Sequence, residues 1–185
     1  MKPREAICAT LDALDAAELP HMLTGGLVTN LYGISRSTKD ADIVIEMEPR
    51  RFDDFARRLP PDLVLDAQVT FETITGSRRH IITIERSPFR IELFMLGADA
   101  HHRERFARRR RAFLTELGRE SWVSSAEDLV IQKLRWKRDK DREDLKNIIG
   151  VQGDALDWPR IHRWCEIHGT RTLLDEIRAS IPPLD

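Results

Sequence analysis

The 185-residue sequence predicts an α/β (α+β) fold: a mixed β-sheet with helices on one face, followed by a C-terminal helical region. Three observations carry this expectation. Residues 41–47 (ADIVIEM) read as a strand rich in β-branched residues. Three more strand-like stretches follow before Leu96. After Leu96 the character changes, and from Ser124 onward helical signals dominate.

Taken in order, residues 3–18 form an amphipathic helix with Ile7, Leu11 and Leu14 at helical spacing, ended by Pro20. Residues 21–24 are a short apolar strand. Gly25-Gly26 makes a turn, and Leu27 to Tyr32 form a short helix that Gly33 closes. The 41–47 strand comes next. A helix at 49–59 is then stopped by Pro60-Pro61. Strands follow at about 69–75, 79–85 and 89–96, with Ser87-Pro88 marking the last turn. Ser124 or Ser125 caps a helix running to about Lys137, with Glu127 and Asp128 in its first turn. Further helices fill most of 139–181, punctuated by Gly150, Gly153, Pro159 and Gly169. The expected division is a sheet-bearing core at residues 1–100 and a mainly helical region at 101–185 packed on it.

Composition narrows the function classes. Hydrophobic residues make up 41% of the chain, enough for a core, and charged residues 33%, too many for a membrane protein. No apolar run approaches transmembrane length, and the acidic N-terminal segment lacks signal or transit character, so the expected location is cytoplasmic. Cys8 and Cys165 lie far apart and outside any C-x-x-C motif, and read as buried small hydrophobes. The histidines are scattered, and His101-His102 has no cysteine or carboxylate partner at ligand spacing, so zinc is not expected. A net charge of −1 excludes a chain-wide attraction to nucleic acid. The basic run HHRERFARRRR (101–111) reads either as a solvated face or as a platform for phosphates. Trp122, Trp136, Trp158 and Trp164 read as core rather than as base-stacking surfaces.

The chemistry concentrates at Asp40-Ala41-Asp42. Side chains alternate along a strand, so Asp40 and Asp42 share one face while Ala41, Ile43 and Ile45 pack under the helices. Carboxylates two residues apart on a strand lie roughly 6.6 Å apart at Cα. That spacing allows them to grip one or two metal ions, and magnesium (or manganese) favours such oxygen ligands. A lone D-x-D is more often an exposed acidic strand end; here Gly25-Gly26 precedes it by thirteen residues, between a strand and a helix start suited to phosphate. In FRIELFML (89–96), Glu92 falls on the parity opposite Ile91, Leu93 and Met95. If that strand pairs with the Asp40/Asp42 strand, Glu92 completes a three-carboxylate cluster, as metal ligand or as base.

The run TGGLVTNLYGISRSTKDADIVIE resembles the signature of the nucleotidyltransferase superfamily with the DNA-polymerase-β-like fold. The subpattern Gly33, Arg36, Thr38, Asp40, Asp42 is similar to that of small bacterial members, among them minimal nucleotidyltransferases and AbiEii-type toxins of toxin–antitoxin systems. SAEDLVIQKLRWKRDKDREDLKNI resembles their downstream helical motif through Glu127-Asp128-Leu129, Lys133, Arg138, Lys140-Asp141 and Asp144-Leu145. The resemblance covers most of residues 21–150. It implies transfer of an NMP from an NTP to a hydroxyl acceptor, with pyrophosphate leaving. Asp40, Asp42 and Glu92 are the implied catalytic residues and ligands for Mg²⁺ or Mn²⁺; Thr24, Gly25, Gly26, Arg36, Thr38 and Lys133 are the implied nucleotide-binding residues. Asp141 and Asp144 are read as structural, pairing with Arg138 or Lys140. The acceptor is expected to be RNA (tRNA especially), a protein side chain or a small hydroxylated molecule such as an aminoglycoside, and a toxin would have a cognate antitoxin. The family's third carboxylate is usually Asp, whereas Glu92 stands here with Arg90 on its face. That substitution keeps a second reading open: a catalytically silent nucleotide- or partner-binding member of the same fold. A helical interaction protein with an accidental acidic strand is the remaining alternative, opposed by two motifs occurring in order.

Overall fold

The computed structural model describes residues 1–73 and 76–182. Its axis is strand β2 (Asp40–Ile45), flanked by antiparallel β1 (His21–Thr24); both strands were expected, at 41–47 and 21–24, and their pairing is set by the fold. Ala41, Ile43 and Ile45 point into the main core, while Asp40, Asp42 and Val44 point to the other face. On the far side of β2, β6 (Arg90–Met95) runs parallel, with Glu92 in register with Asp42. The sheet extends from β6 to β5 (Ser77–Ile84), whose outer edge is shared by β3 (Leu63–Leu65) and β4 (Thr70–Glu72). Beyond β1 it extends through a parallel step to β8 (Arg119–Val123) and then to antiparallel β7 (Arg110–Leu114). Among the described residues this mixed sheet has eight strands.

Among the described residues eight α-helices accompany it: α1 (Pro3–Ala16), α2 (Gly25–Tyr32), α3 (Pro49–Arg58), α4 (Ala100–Ala107), α5 (Ala126–Trp136), α6 (Asp139–Gln152), α7 (Trp158–His168) and α8 (Arg171–Ala179). The mixed α/β class is therefore as expected. Ile7, Leu11 and Leu14 of α1, Phe55 of α3 and Leu129 of α5 join Ile43, Ile91 and Leu93 in one core. In addition, Phe106 of α4 packs with Met22 and Val44 on the opposite face of the sheet. None of the described helices is long and apolar enough to cross a membrane.

Several elements differ from expectation. The two glycines begin α2 rather than forming a separate turn, because Thr24 takes the N-cap position directly after β1. β3 has three residues and a single buried side chain, too short to leave a periodic signal. Of the expected strand at 69–75, Thr70–Glu72 is observed as β4; Ile74 and Thr75 lie outside the described residues. Residues 97–123 hold α4 and the β7–β8 hairpin, so strands stand on both sides of residue 100. β7 escaped recognition because it is an edge strand whose Arg110, Arg111 and Phe113 are exposed, which erases the alternation. The basic run is divided between α4 and β7, and helical periodicity buries His101, Arg105 and Phe106 while Arg103 and Ala107 stay exposed. Gly150 lies inside α6 and does not end it. Of the four tryptophans Trp164 is buried, and the other three are half-buried beneath arginines. Cys165 is buried and Cys8 partly so; both are free thiols.

The core face of β2 and β6 is packed without regard to the carboxylate face. Ile91→Ala, at a fully buried position, is expected to cost about 2–5 kcal/mol in urea unfolding through the lost transfer energy and the cavity left behind. A cost below about 1 kcal/mol would contradict the packing described.

Candidate active site

Asp40 and Asp42 stand at the start of β2, where the chain enters the sheet from the loop after α2. The Thr38 hydroxyl lies 2.9 Å from the Asp40 carbonyl oxygen and 3.0 Å from Asp40 Oδ1, so its one proton is shared between them and ties Asp40 to the loop. Thr38 thus orients a carboxylate. Gly25 has φ +66° and approaches Asp42 so closely that a Cβ there would lie 1.8 Å from Asp42 Oδ2. Side chains are excluded at this position twice over, by the left-handed backbone and by contact. At Gly26 a Cβ would lie 2.8 Å from Thr38 Oγ1. The glycine pair therefore lets the N-terminus of α2, which favours negative charge, abut the carboxylate strand.

Burial pushes the Asp42 carboxyl up to about 7, helped by the charges of Asp40 and Glu92 and opposed by Lys140 and Arg138. Glu92 is also raised, first by burial, with Arg79 opposing. Its carboxylate accepts a 2.6 Å hydrogen bond from Arg79 Nη1 on β5. Register brings Glu92 beside Asp42 as expected, but the Arg79 pair engages its carboxylate. Asp40 and Asp42 fit a hard divalent cation: they supply two carboxylates, they leave positions for water or phosphate oxygens, and their mutual repulsion is relieved by a cation. Glu92 fits that role less well while Arg79 holds it.

The opposite wall is a buried ionic network. Lys133 is 2% exposed, and its Nζ lies 2.6 Å from Asp144 Oδ2 and 3.2 Å from Asp141 Oδ1. Arg36 grips Asp144 with two hydrogen bonds of 2.7 and 2.8 Å. Arg138 grips Asp141 with two of 2.7 and 3.1 Å. Burial alone would raise Asp144, yet Arg36 and Lys133 hold its carboxyl below the usual range. The network requires α5 and α6 to fold back on each other. Lys137 makes that possible by closing α5 in the left-handed conformation, with φ 56°. The expected Arg138–Asp141 pair is present, while Asp144 pairs with Arg36 and Lys133 instead.

Between the two walls lies a solvent-open cleft of about 210 Å³. Gly25, Gly26, Arg36, Thr38, Lys133, Asp40 and Asp42 all line it, as do Ser37, Lys39, Arg138 and Lys140. Thr24 does not: it is buried and its hydroxyl accepts from Ser124 at 3.3 Å. Glu92 lies outside the cleft lining as well. Sequence reasoning missed Ser37 and Lys39 as lining residues and assigned Lys140 to a structural pair. The signal was present for Lys140, which lies within the downstream motif beside Asp141.

The fold of this chain is similar to that of solved structures of nucleotidyltransferases and nucleotidyltransferase-like proteins. An antigenic nucleotidyltransferase-like protein from Paracoccidioides brasiliensis is similar over 96% of this chain and 94% of its own, at TM-score 0.54 and 17% identity. The antibiotic-resistance factor ANT(2'')-Ia is similar over 95% of this chain and 96% of its own, at TM-score 0.55 and 13% identity. A proposed nucleotidyltransferase from H. pylori is similar over 98% of this chain and 81% of its own, at TM-score 0.52 and 15% identity. No family model matches the sequence, and no curated protein matches it.

Two measurements check this geometry. Folding raises the Asp42 pKa, so the metal-free folded state holds a proton that the unfolded state has lost between about 4 and 7. Stability is therefore expected to fall as pH rises through that window and then to level off. Asp42→Asn should remove this component and be the more stable protein at pH 8, and carboxyl NMR should show Asp42 titrating near 7; titration near 4 would refute the uncompensated site. Asp144→Ala leaves Lys133 buried without its closest partner and is expected to cost about 3–5 kcal/mol in chemical denaturation. A cost under about 1 kcal/mol would show that the network does not hold the cleft.

Proposed function

We propose that the chain is a metal-dependent nucleotidyltransferase, moving an NMP from an NTP to a hydroxyl acceptor. The observation that carries this is the cleft itself: Asp40, Asp42, Gly25 and Gly26 line it together with the cationic Arg36, Lys39, Lys133, Arg138 and Lys140. Asp40 and Asp42 would hold magnesium, which when bound would neutralise and polarise triphosphate oxygens. The start of α2 would receive phosphate through its free N–H groups, with the glycines allowing close approach. Exposed Lys39 and Lys140 would balance the charge of the leaving pyrophosphate. Arg36 and Lys133 would act chiefly by holding the wall in place, since both are already bound to Asp144. The acceptor oxygen would bond to the α-phosphorus as the bond to the pyrophosphate bridging oxygen breaks. Glu92, beside Asp42 on the neighbouring strand, would take the hydroxyl proton on release from Arg79.

A second reading, a catalytically silent nucleotide-binding member of the fold, is favoured by one observation: the Glu92 carboxylate is engaged by Arg79. The ANT(2'')-Ia structure with adenylyl-2''-tobramycin is 15% identical to this chain at TM-score 0.54, and it motivates including an aminoglycoside among the acceptors tested.

The test is incubation with Mg²⁺ and each α-labelled NTP in separate reactions containing total RNA, a protein extract or aminoglycosides. Magnesium-dependent label transfer with pyrophosphate release is expected, lowered at least about a hundredfold in Asp42→Asn. Nucleotide binding without pyrophosphate release from any NTP would overturn the enzyme in favour of the silent reading.

A further inference from the structure

A second group of ligating side chains stands apart from the carboxylate cleft. Among the described residues, Asp99, His101 and His168 each offer one ligand atom, and these atoms all lie within 4.8 Å of one another. Asp99 caps α4, His101 is in its first turn, and His168 is the last residue of α7. The sequence alone gave no reason to join them, because His168 arrives only when α7 folds back beside α4.

The histidines have the environment of ligands without a ligand. His101 is completely buried, and its Nδ1 has no hydrogen-bond partner. His168 Nδ1 is likewise buried and unpartnered. Unpaired imidazole nitrogens in a protein interior are costly, which calls for a group that satisfies them. The rings are held firmly: Trp164 stacks on His168 at 5.3 Å between centroids and lies 4.9 Å from His101. Behind His101, the Asp128 carboxylate lies 3.5 Å from Nε2 and is itself anchored by Arg160 at 2.8 Å. A carboxylate behind an imidazole fixes its tautomer and leaves Nδ1 to bind a metal. One contact opposes the site. Arg135 lies 3.2 and 3.3 Å from the two Asp99 oxygens, so a positive charge already occupies that carboxylate.

We propose that Asp99, His101 and His168 form a site for a divalent transition-metal ion of zinc type, separate from the Asp40/Asp42 cleft and in competition with Arg135. Two imidazoles and one carboxylate suit Zn²⁺ or Co²⁺ and do not suit Mg²⁺. Exposed Asp99 provides the entry side and leaves a coordination position open to solvent. Zinc-type ligation would correct the expectation that the scattered histidines hold no zinc. It would also staple α4 to α7.

The experiment titrates the full-length protein with Zn²⁺ against a chromophoric chelator, and with Co²⁺ by visible absorption. One equivalent is expected to bind, with affinity retained in Asp42→Asn. It should be weakened at least about tenfold in His168→Ala and Asp99→Asn and strengthened in Arg135→Gln. Far-UV circular dichroism checks that the variants fold. In the unaltered protein, histidine-ring NMR provides an independent readout: Zn²⁺ should shift His101 and His168 and leave His21 and His80 in place. The proposal is overturned if no stoichiometric binding occurs, if the affinity is indifferent to His168→Ala and Asp99→Asn, if it is lost in Asp42→Asn, or if other histidines shift instead.

Discussion

Two carboxylates inside the helical half, Asp141 and Asp144, are buried together with the Lys133 ammonium, and their remaining oxygens are claimed by Arg138 and Arg36. Burying any one of these charges alone would be prohibitive, so the groups must be brought together or not buried at all. The consequences reach across the molecule. α6 must return against α5, which sets the reversal at Lys137. The loop entering β2 must lie against α6, because Arg36 belongs to that loop. One wall of the cleft is thereby fixed relative to the other, although the two come from distant parts of the chain.

The opposite wall depends on a steric constraint. Asp42 and Gly25 come so close that no Cβ can stand between them. Thr38 occupies the matching space at Gly26 and steadies Asp40 at the same time. The carboxylates are thus held near one another and near a helix N-terminus without a direct cationic partner, and Asp42 rises accordingly. Glu92 differs in having Arg79 within 2.6 Å. The same face of the sheet therefore carries one pair of carboxylates left available and one carboxylate already satisfied. This difference leaves the aspartate pair open to the cation of the proposed function, whereas Glu92 stands in an ion pair.

Much of this layout was legible in the chain. β2 was readable because a run of β-branched residues follows the two aspartates, and parity put Glu92 on the carboxylate face once β6 lies beside it, whereas its register with Asp42 is set by the sheet. The roles of individual cations were not legible. Lys133 reads as a surface lysine or a nucleotide contact, yet it is buried, because its charge is neutralised by residues on the next helix rather than by helical neighbours. Arg36 reads as a phosphate clamp and is found gripping Asp144. β7 was hidden by its arginines, which an edge strand can leave in solvent.

The sequence by itself determined what depends on near neighbours along the chain. Alternation assigned Asp40 and Asp42 to one face, glycines at 25 and 26 permitted a close backbone approach, and Ser125 started α5 by capping Asp128 N–H. Tertiary structure decided everything that depends on charge meeting charge over long separations. It joined Arg36 to Asp144 and Arg79 to Glu92, drew β7 and β8 into the sheet, and placed His168 beside Asp99 and His101. The physical reason is that local periodicity constrains which face a residue occupies, whereas electrostatic and ligating partners are chosen by which faces are finally packed together.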